Sequence, residues 1–135
     1  MPHRLYSQVA ARADHRCEYC KAPETLSETE YEVEHLWPRK LGGLDEFHNL
    51  ALACPSCNKK KGSATYVTDP ESELSVLIFN PRRDVWIEHF EFNVETTEIT
   101  GRTPTGRATI QRLAMNREHA LYARALWAIY GWFPP

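Results

Sequence analysis

Cys17-Glu18-Tyr19-Cys20 and Cys54-Pro55-Ser56-Cys57 bracket 33 residues, 21–53, and the reading of this stretch decides the fold. Two CxxC pairs can set four thiolates tetrahedrally around one zinc ion, at Zn–S distances of about 2.3 Å. A redox dithiol needs only one pair, and two disulfides suit a reducing compartment poorly. The first 13 residues carry His3, Arg4 and Arg12 with no apolar run behind them, and no stretch of 18 apolar residues occurs. The sequence therefore predicts a soluble, cytoplasmic protein that does not insert into a membrane. A zinc ion held by Cys17, Cys20, Cys54 and Cys57 has no open position and does no chemistry. Its binding energy, on the order of 10 kcal/mol, is folding energy for the segment it closes.

Outward from the cysteines, Leu5, Val9 and Ala13 recur every four residues and predict a short amphipathic helix over 4–13. In 28–34 acidic residues alternate with Tyr31 and Val33, the period of a strand with one wet face. Pro38 and Gly42-Gly43 open a loop, 49–53 is a second apolar run, and the lysines after Asn58 suggest the opening turns of a helix. Beyond Asp69-Pro70, strands are expected over 74–79, 85–92 and 94–100. Thr105 is expected to cap a helix over 107–115, and Asn116 another whose inner face carries Leu121, Ala125, Ala128, Ile129 and Trp132. With 135 residues, 42% of them hydrophobic, one α+β domain over 1–135 is expected, its core at 15–65 and an extension at 66–135.

A net charge of -2 argues against coating nucleic acid by bulk electrostatics. Charge is uneven, however. Glu24, Glu28, Glu30, Glu32 and Glu34 load one segment with acid, while Lys59, Lys60 and Lys61 form a basic cluster. Contact with a polyanion would be local.

Inside the cysteine frame stand Glu34-His35-Leu36-Trp37-Pro38-Arg39-Lys40-Leu41-Gly42-Gly43, His48-Asn49-Leu50, and Cys54-Pro55-Ser56-Cys57-Asn58. His35 lies 14 residues before Asn49, and Asn49 lies 9 before Asn58. This register, over residues 17–62, resembles the ββα-metal fold of HNH endonucleases, a treble-clef-like zinc-bound core. The remainder is less closely similar to small bacterial stand-alone HNH proteins. The resemblance implies a nuclease core with an N-terminal helix and a C-terminal β-hairpin plus helices. It makes His35 the general base toward an attacking water. Asn49 would orient the ring, and Glu34 with Asn58 would hold one Mg²⁺ or Mn²⁺ at the scissile phosphate. Lys59, Lys60, Lys61, Arg39 and Lys40 become candidates for phosphate contact in nucleic acid, with double-stranded DNA the expected substrate. Cutting both strands with one site calls for a homodimer or two successive nicks.

Two positions depart from the commonest pattern: Glu34 stands where Asp is usual, and Asn58 where His often stands. The alternative class is a zinc-stapled module that binds nucleic acid or protein without cutting it. Strict alternation would also send Glu34 and His35 to opposite faces, so both can serve one site only if the strand distorts.

Overall fold

The two cysteine pairs are joined through a hairpin that runs straight into a helix. In the computed structural model, which describes residues 2–135, the chain divides into two compact units, split between residues 63 and 64. In the first unit, helix α1 (Tyr6–Arg12) buries Val9 and Ala10. Strand β1 (Glu32–His35) pairs antiparallel with β2 (Leu50–Ala53), from Glu32 opposite Ala53 to His35 opposite Leu50. All four residues of β2 are buried, so its apolar run is continuous rather than alternating.

Helix α2 (Pro55–Lys61) begins earlier than its lysines suggest. Cys54 caps it, its sulfur accepting from the Cys57 N–H at 3.4 Å, and Pro55 takes the first position, where no donor is needed. Lys59, Lys60 and Lys61 therefore close the helix, at the end where positive charge favours the dipole. Gly62 stops it. This ββα unit carrying four cysteines is the expected core.

The second unit holds two hairpins where one was expected. Strands β3 (Tyr66–Thr68) and β4 (Ser75–Leu77) form the first hairpin. Strands β5 (Phe90–Phe92) and β6 (Ile99–Gly101) form the second. The strand expected over 85–92 is half helix: α3 (Trp86–His89) precedes β5. Trp86 and Phe90 stand 5.0 Å apart between ring centroids, an i,i+4 contact that a helical turn creates and a strand does not.

Helix α4 (Pro104–Leu113) packs on β6 and β3, and is capped by Thr103 rather than Thr105. The Thr105 hydroxyl instead donates to the Leu77 carbonyl at 3.0 Å. Helix α5 (Glu118–Ile129) departs further from expectation. Ala125, Ala128, Ile129 and Trp132 are exposed, and the helix's buried residue is Arg124. The Arg124 guanidinium donates to the Thr97 carbonyl at 3.2 Å and to Asn116 Oδ1 at 3.1 Å, so a polar anchor sets the inward face. Asn116 is thereby taken from capping: its amide also brackets the Ile99 backbone at 2.8 Å on both sides. No helix among the described residues is long and apolar enough to cross a membrane.

Candidate active site

Cys17, Cys20, Cys54 and Cys57 are buried and unbonded, and their four sulfurs lie within 4.8 Å of one another. The first pair sits on a tight turn in which the Lys21 N–H donates to the Cys17 carbonyl at 2.9 Å, with Lys21 in the left-handed region. The second pair is the cap and first turn of α2. Cys20 and Cys54 sulfurs are 3.9 Å apart. Hydrogen bonds from Cys17, then from Cys20 and Cys57, hold the Cys54 thiol far below the ordinary range, while burial pushes Cys17 up. Four buried sulfurs within 4.8 Å of one another fit zinc, whose charge stabilises thiolates. Glu18 braces the arrangement: its N–H donates to the Leu52 carbonyl at 2.9 Å, and its carboxylate accepts from the Leu52 N–H at 2.8 Å.

His35 ends β1, and the strand does not distort before it. Alternation holds, so Glu34 turns into the interior and His35 turns outward. Glu34 is 5% exposed. One of its carboxylate oxygens accepts from Lys61 Nζ at 2.9 Å and the other from the Tyr19 hydroxyl. Burial pushes the Glu34 carboxyl up, and the Lys61 charge opposes that push. With both oxygens engaged, Glu34 does not reach a hard cation in this arrangement. That departs from the role the family pattern gives Glu34.

On the other face, the His35 side chain is 15% exposed and its Nε2 lies 3.0 Å from Asp45 Oδ1. His3 Nε2 meets the same oxygen at 2.5 Å. The His3 bond, and then that of His35, hold the Asp45 carboxyl down at about 2. Asp45 is thus ionised and can only accept, which places a proton on Nε2 of each ring. His3 Nδ1 agrees, since it accepts from the Leu5 N–H at 3.0 Å. In the neutral form of His35 this leaves the lone pair on Nδ1.

Asn49 makes no hydrogen bond to the His35 ring. Its Oδ1 accepts from the Trp37 N–H at 2.9 Å, and its Nδ2 donates to the carbonyls of Trp37 at 3.1 Å and Leu44 at 2.8 Å. It laces the loop of residues 37–44 to the hairpin, and its own carbonyl accepts from Leu36 at 2.9 Å. The loop needs Gly43 for the same closeness: a Cβ there would stand 1.8 Å from the Trp37 carbonyl oxygen. Asn49 therefore places Asp45 relative to His35, and Asp45, not Asn49, holds the ring.

Residues 17–64 match the HNH endonuclease family model. No curated protein matches the chain. The HNH-matching segment runs from the first cysteine to just past α2, so it contains the four cysteines, His35, Asp45, Asn49 and Asn58, and leaves His3 outside. Within it Asn58 is half-buried, and its side chain makes no hydrogen bond to another described residue. It lies one helical turn before Lys61 on α2.

The five basic candidates separate. Arg39, Lys40, Lys59 and Lys60 are exposed, the first two on a 3-10 turn, Arg39–Leu41, and the others on the last turn of α2. Lys61 is not a phosphate contact here, because its side chain is 2% exposed and committed to Glu34. Sequence reasoning passed over His3, Asp45 and Glu18. Asp45 alone carried a signal, an acid close behind the glycine pair and before Asn49. His3 is brought in by tertiary packing across more than 30 positions, and nothing local marks it.

Proposed function

We propose that the chain is an endonuclease that hydrolyses phosphodiester bonds in double-stranded DNA, with His35 as general base. The observation that carries this reading is the His35–Asp45 pair, a largely buried imidazole whose one nitrogen is tied to an ionised carboxylate and whose other makes no hydrogen bond to another described residue. Asp45 is a positioning residue: it fixes the tautomer and stabilises the imidazolium that forms when water is deprotonated. A divalent cation, when bound, would neutralise charge on the phosphate and the leaving 3′ oxygen. Asn58 offers an amide oxygen on α2 that no other described residue occupies. Arg39, Lys40, Lys59 and Lys60 supply local positive charge for the flanking phosphates, which suits a chain of net charge -2.

The buried Glu34–Lys61 pair is the observation that favours the rival, a zinc-stapled binding module without cleavage, since it consumes the carboxylate that the family pattern offers to a metal. Nicking of supercoiled plasmid with Mg²⁺ or Mn²⁺ separates the two. His35→Ala is expected to slow cleavage by about a hundredfold or more, the usual worth of a general base. Products should carry 5′-phosphate and 3′-hydroxyl ends. Equal rates for the native chain and His35→Ala would remove His35 from the reaction and leave the module.

A further inference from the structure

We infer that His3, His35 and Asp45 form a second metal site, which takes a transition divalent ion such as zinc, and that occupancy of this site switches His35 off as a base. The effect on cleavage presumes the nuclease reading above, whereas the site stands on geometry alone.

A single carboxylate oxygen, Asp45 Oδ1, faces two imidazole nitrogens, His3 Nε2 at 2.5 Å and His35 Nε2 at 3.0 Å. One ligand atom from each of the three residues lies within 4.8 Å of the others. Tetrahedral zinc, with bonds of about 2.0–2.1 Å, keeps neighbouring ligand atoms about 3.3 Å apart. The two short edges would open by a fraction of an ångström, and the third, between the two rings, lies within 4.8 Å. The three residues come from three different places, the segment before α1, the end of β1, and the loop that Asn49 laces down, and each is half-buried. Arg4, the cation beside the cluster, approaches the other Asp45 oxygen at 3.5 Å and the Asp45 carbonyl at 3.0 Å, so Oδ1 is left to the rings.

Two imidazoles and one carboxylate are the donor set of zinc, cobalt, nickel or iron. Magnesium prefers six oxygens in an octahedron. Three protein ligands leave a fourth position open to water or a phosphate oxygen, unlike the closed four-sulfur cage. In the metal-free site both rings carry their proton on Nε2, donated to Asp45. An ion bound at both Nε2 atoms displaces those protons to the two Nδ1 atoms, with no net release. At His3 this gives up the bond from the Leu5 N–H. At His35 it protonates the one nitrogen that could accept a proton from water, and the base is lost while the ion stays.

The test uses the full chain. Zinc content after equilibration is measured by atomic spectrometry, and cobalt substitution distinguishes the sites, because thiolate-bound cobalt shows sulfur charge-transfer bands and a nitrogen–oxygen site does not. Two ions per native chain are expected, and one in His3→Ala. His48→Ala, altered at an exposed residue outside the cluster, should keep two. One ion in the native chain, or unchanged affinity for the second ion in His3→Ala, overturns the site and leaves a hydrogen-bonded network only. In plasmid nicking with Mg²⁺, native activity should fall at least tenfold as zinc rises past one equivalent. His3→Ala, measured against its own zinc-free rate, should change less than twofold. Equal inhibition of both, or binding of the second ion without inhibition, overturns the switch. If no form cuts plasmid under any condition, the nuclease reading fails and takes the switch with it, and the ion count still decides the site.

Discussion

Lys61→Met keeps most of the side chain's length and removes its charge from a place where water cannot replace it. The native amino group donates to Glu34 Oε1 at 2.9 Å and to the His35 carbonyl at 3.4 Å, with both side chains at or below 5% exposure. In the variant the Tyr19 hydroxyl still serves Oε2, but Oε1 is left buried without a partner. Breaking a buried pair by removing one member costs about 3–5 kcal/mol. An exposed lysine changes stability by about 0.5 kcal/mol or less. Glu34→Gln should be costly for the reciprocal reason, and the double variant should recover most of the loss, with a coupling energy of about 2 kcal/mol or more. The assay is urea unfolding of the cobalt-loaded chain, followed by thiolate–cobalt absorbance so that only the cysteine-bearing unit is seen. Free cobalt is held fixed, because ion binding adds to stability by mass action. A loss below about 1 kcal/mol in Lys61→Met, with weakened DNA binding, would refute the buried pair and return Lys61 to the phosphates.

Stripping zinc with a strong chelator should unfold the first unit, because the ion's contribution, on the order of 10 kcal/mol, rivals the whole stability of a small domain. Hydrogen exchange should show protection lost across β1 and β2 and kept in β5 and β6; retained protection in β1 would exclude a structural role for the ion. In the second unit, Asp69 has no solvent exposure, and Arg107 grips it with two bonds of 3.0 Å while Ser72 donates at 2.6 Å. The Arg107 bonds, foremost, hold the Asp69 carboxyl well below its usual range. A depressed carboxyl stabilises the fold above its unfolded value, about pH 4, and loses that contribution as pH falls through the folded value. Acid unfolding followed by tryptophan fluorescence should therefore flatten below about pH 4 in Asp69→Asn; an unchanged acid limb would mean that another group governs it.

The parts of the fold legible in the sequence are those where one local signal had one physical solution. Paired CxxC turns, an alternating strand, Gly42-Gly43 and a wholly apolar β2 each left little choice. Misreadings came where side-chain partners, not periodicity, chose the face. On α5 the apolar pattern pointed one way, but Arg124 had three backbone and side-chain acceptors to satisfy on the other and turned the helix accordingly. At 85–92 hydrophobicity suited either period, and the Trp86–Phe90 contact decided for a turn of helix. Glu34 reads on paper as a ligand next to His35. The pleat sends neighbours to opposite sides, and a lysine 27 residues away was waiting on the inner one. Such long-range choices leave no trace in a short window of sequence.

The lacing of residues 37–44 by Asn49 divides tolerance unevenly along that loop. Its ends are tied through backbone atoms of Trp37 and Leu44, and Gly43 admits no side chain, so the frame is rigid wherever it touches the hairpin. Arg39 and Lys40, at the tip, bear on none of these ties and face solvent. Descendants of this chain can therefore rewrite the tip, swapping charge or length to meet a new polymer, while the imidazole behind it keeps its aim.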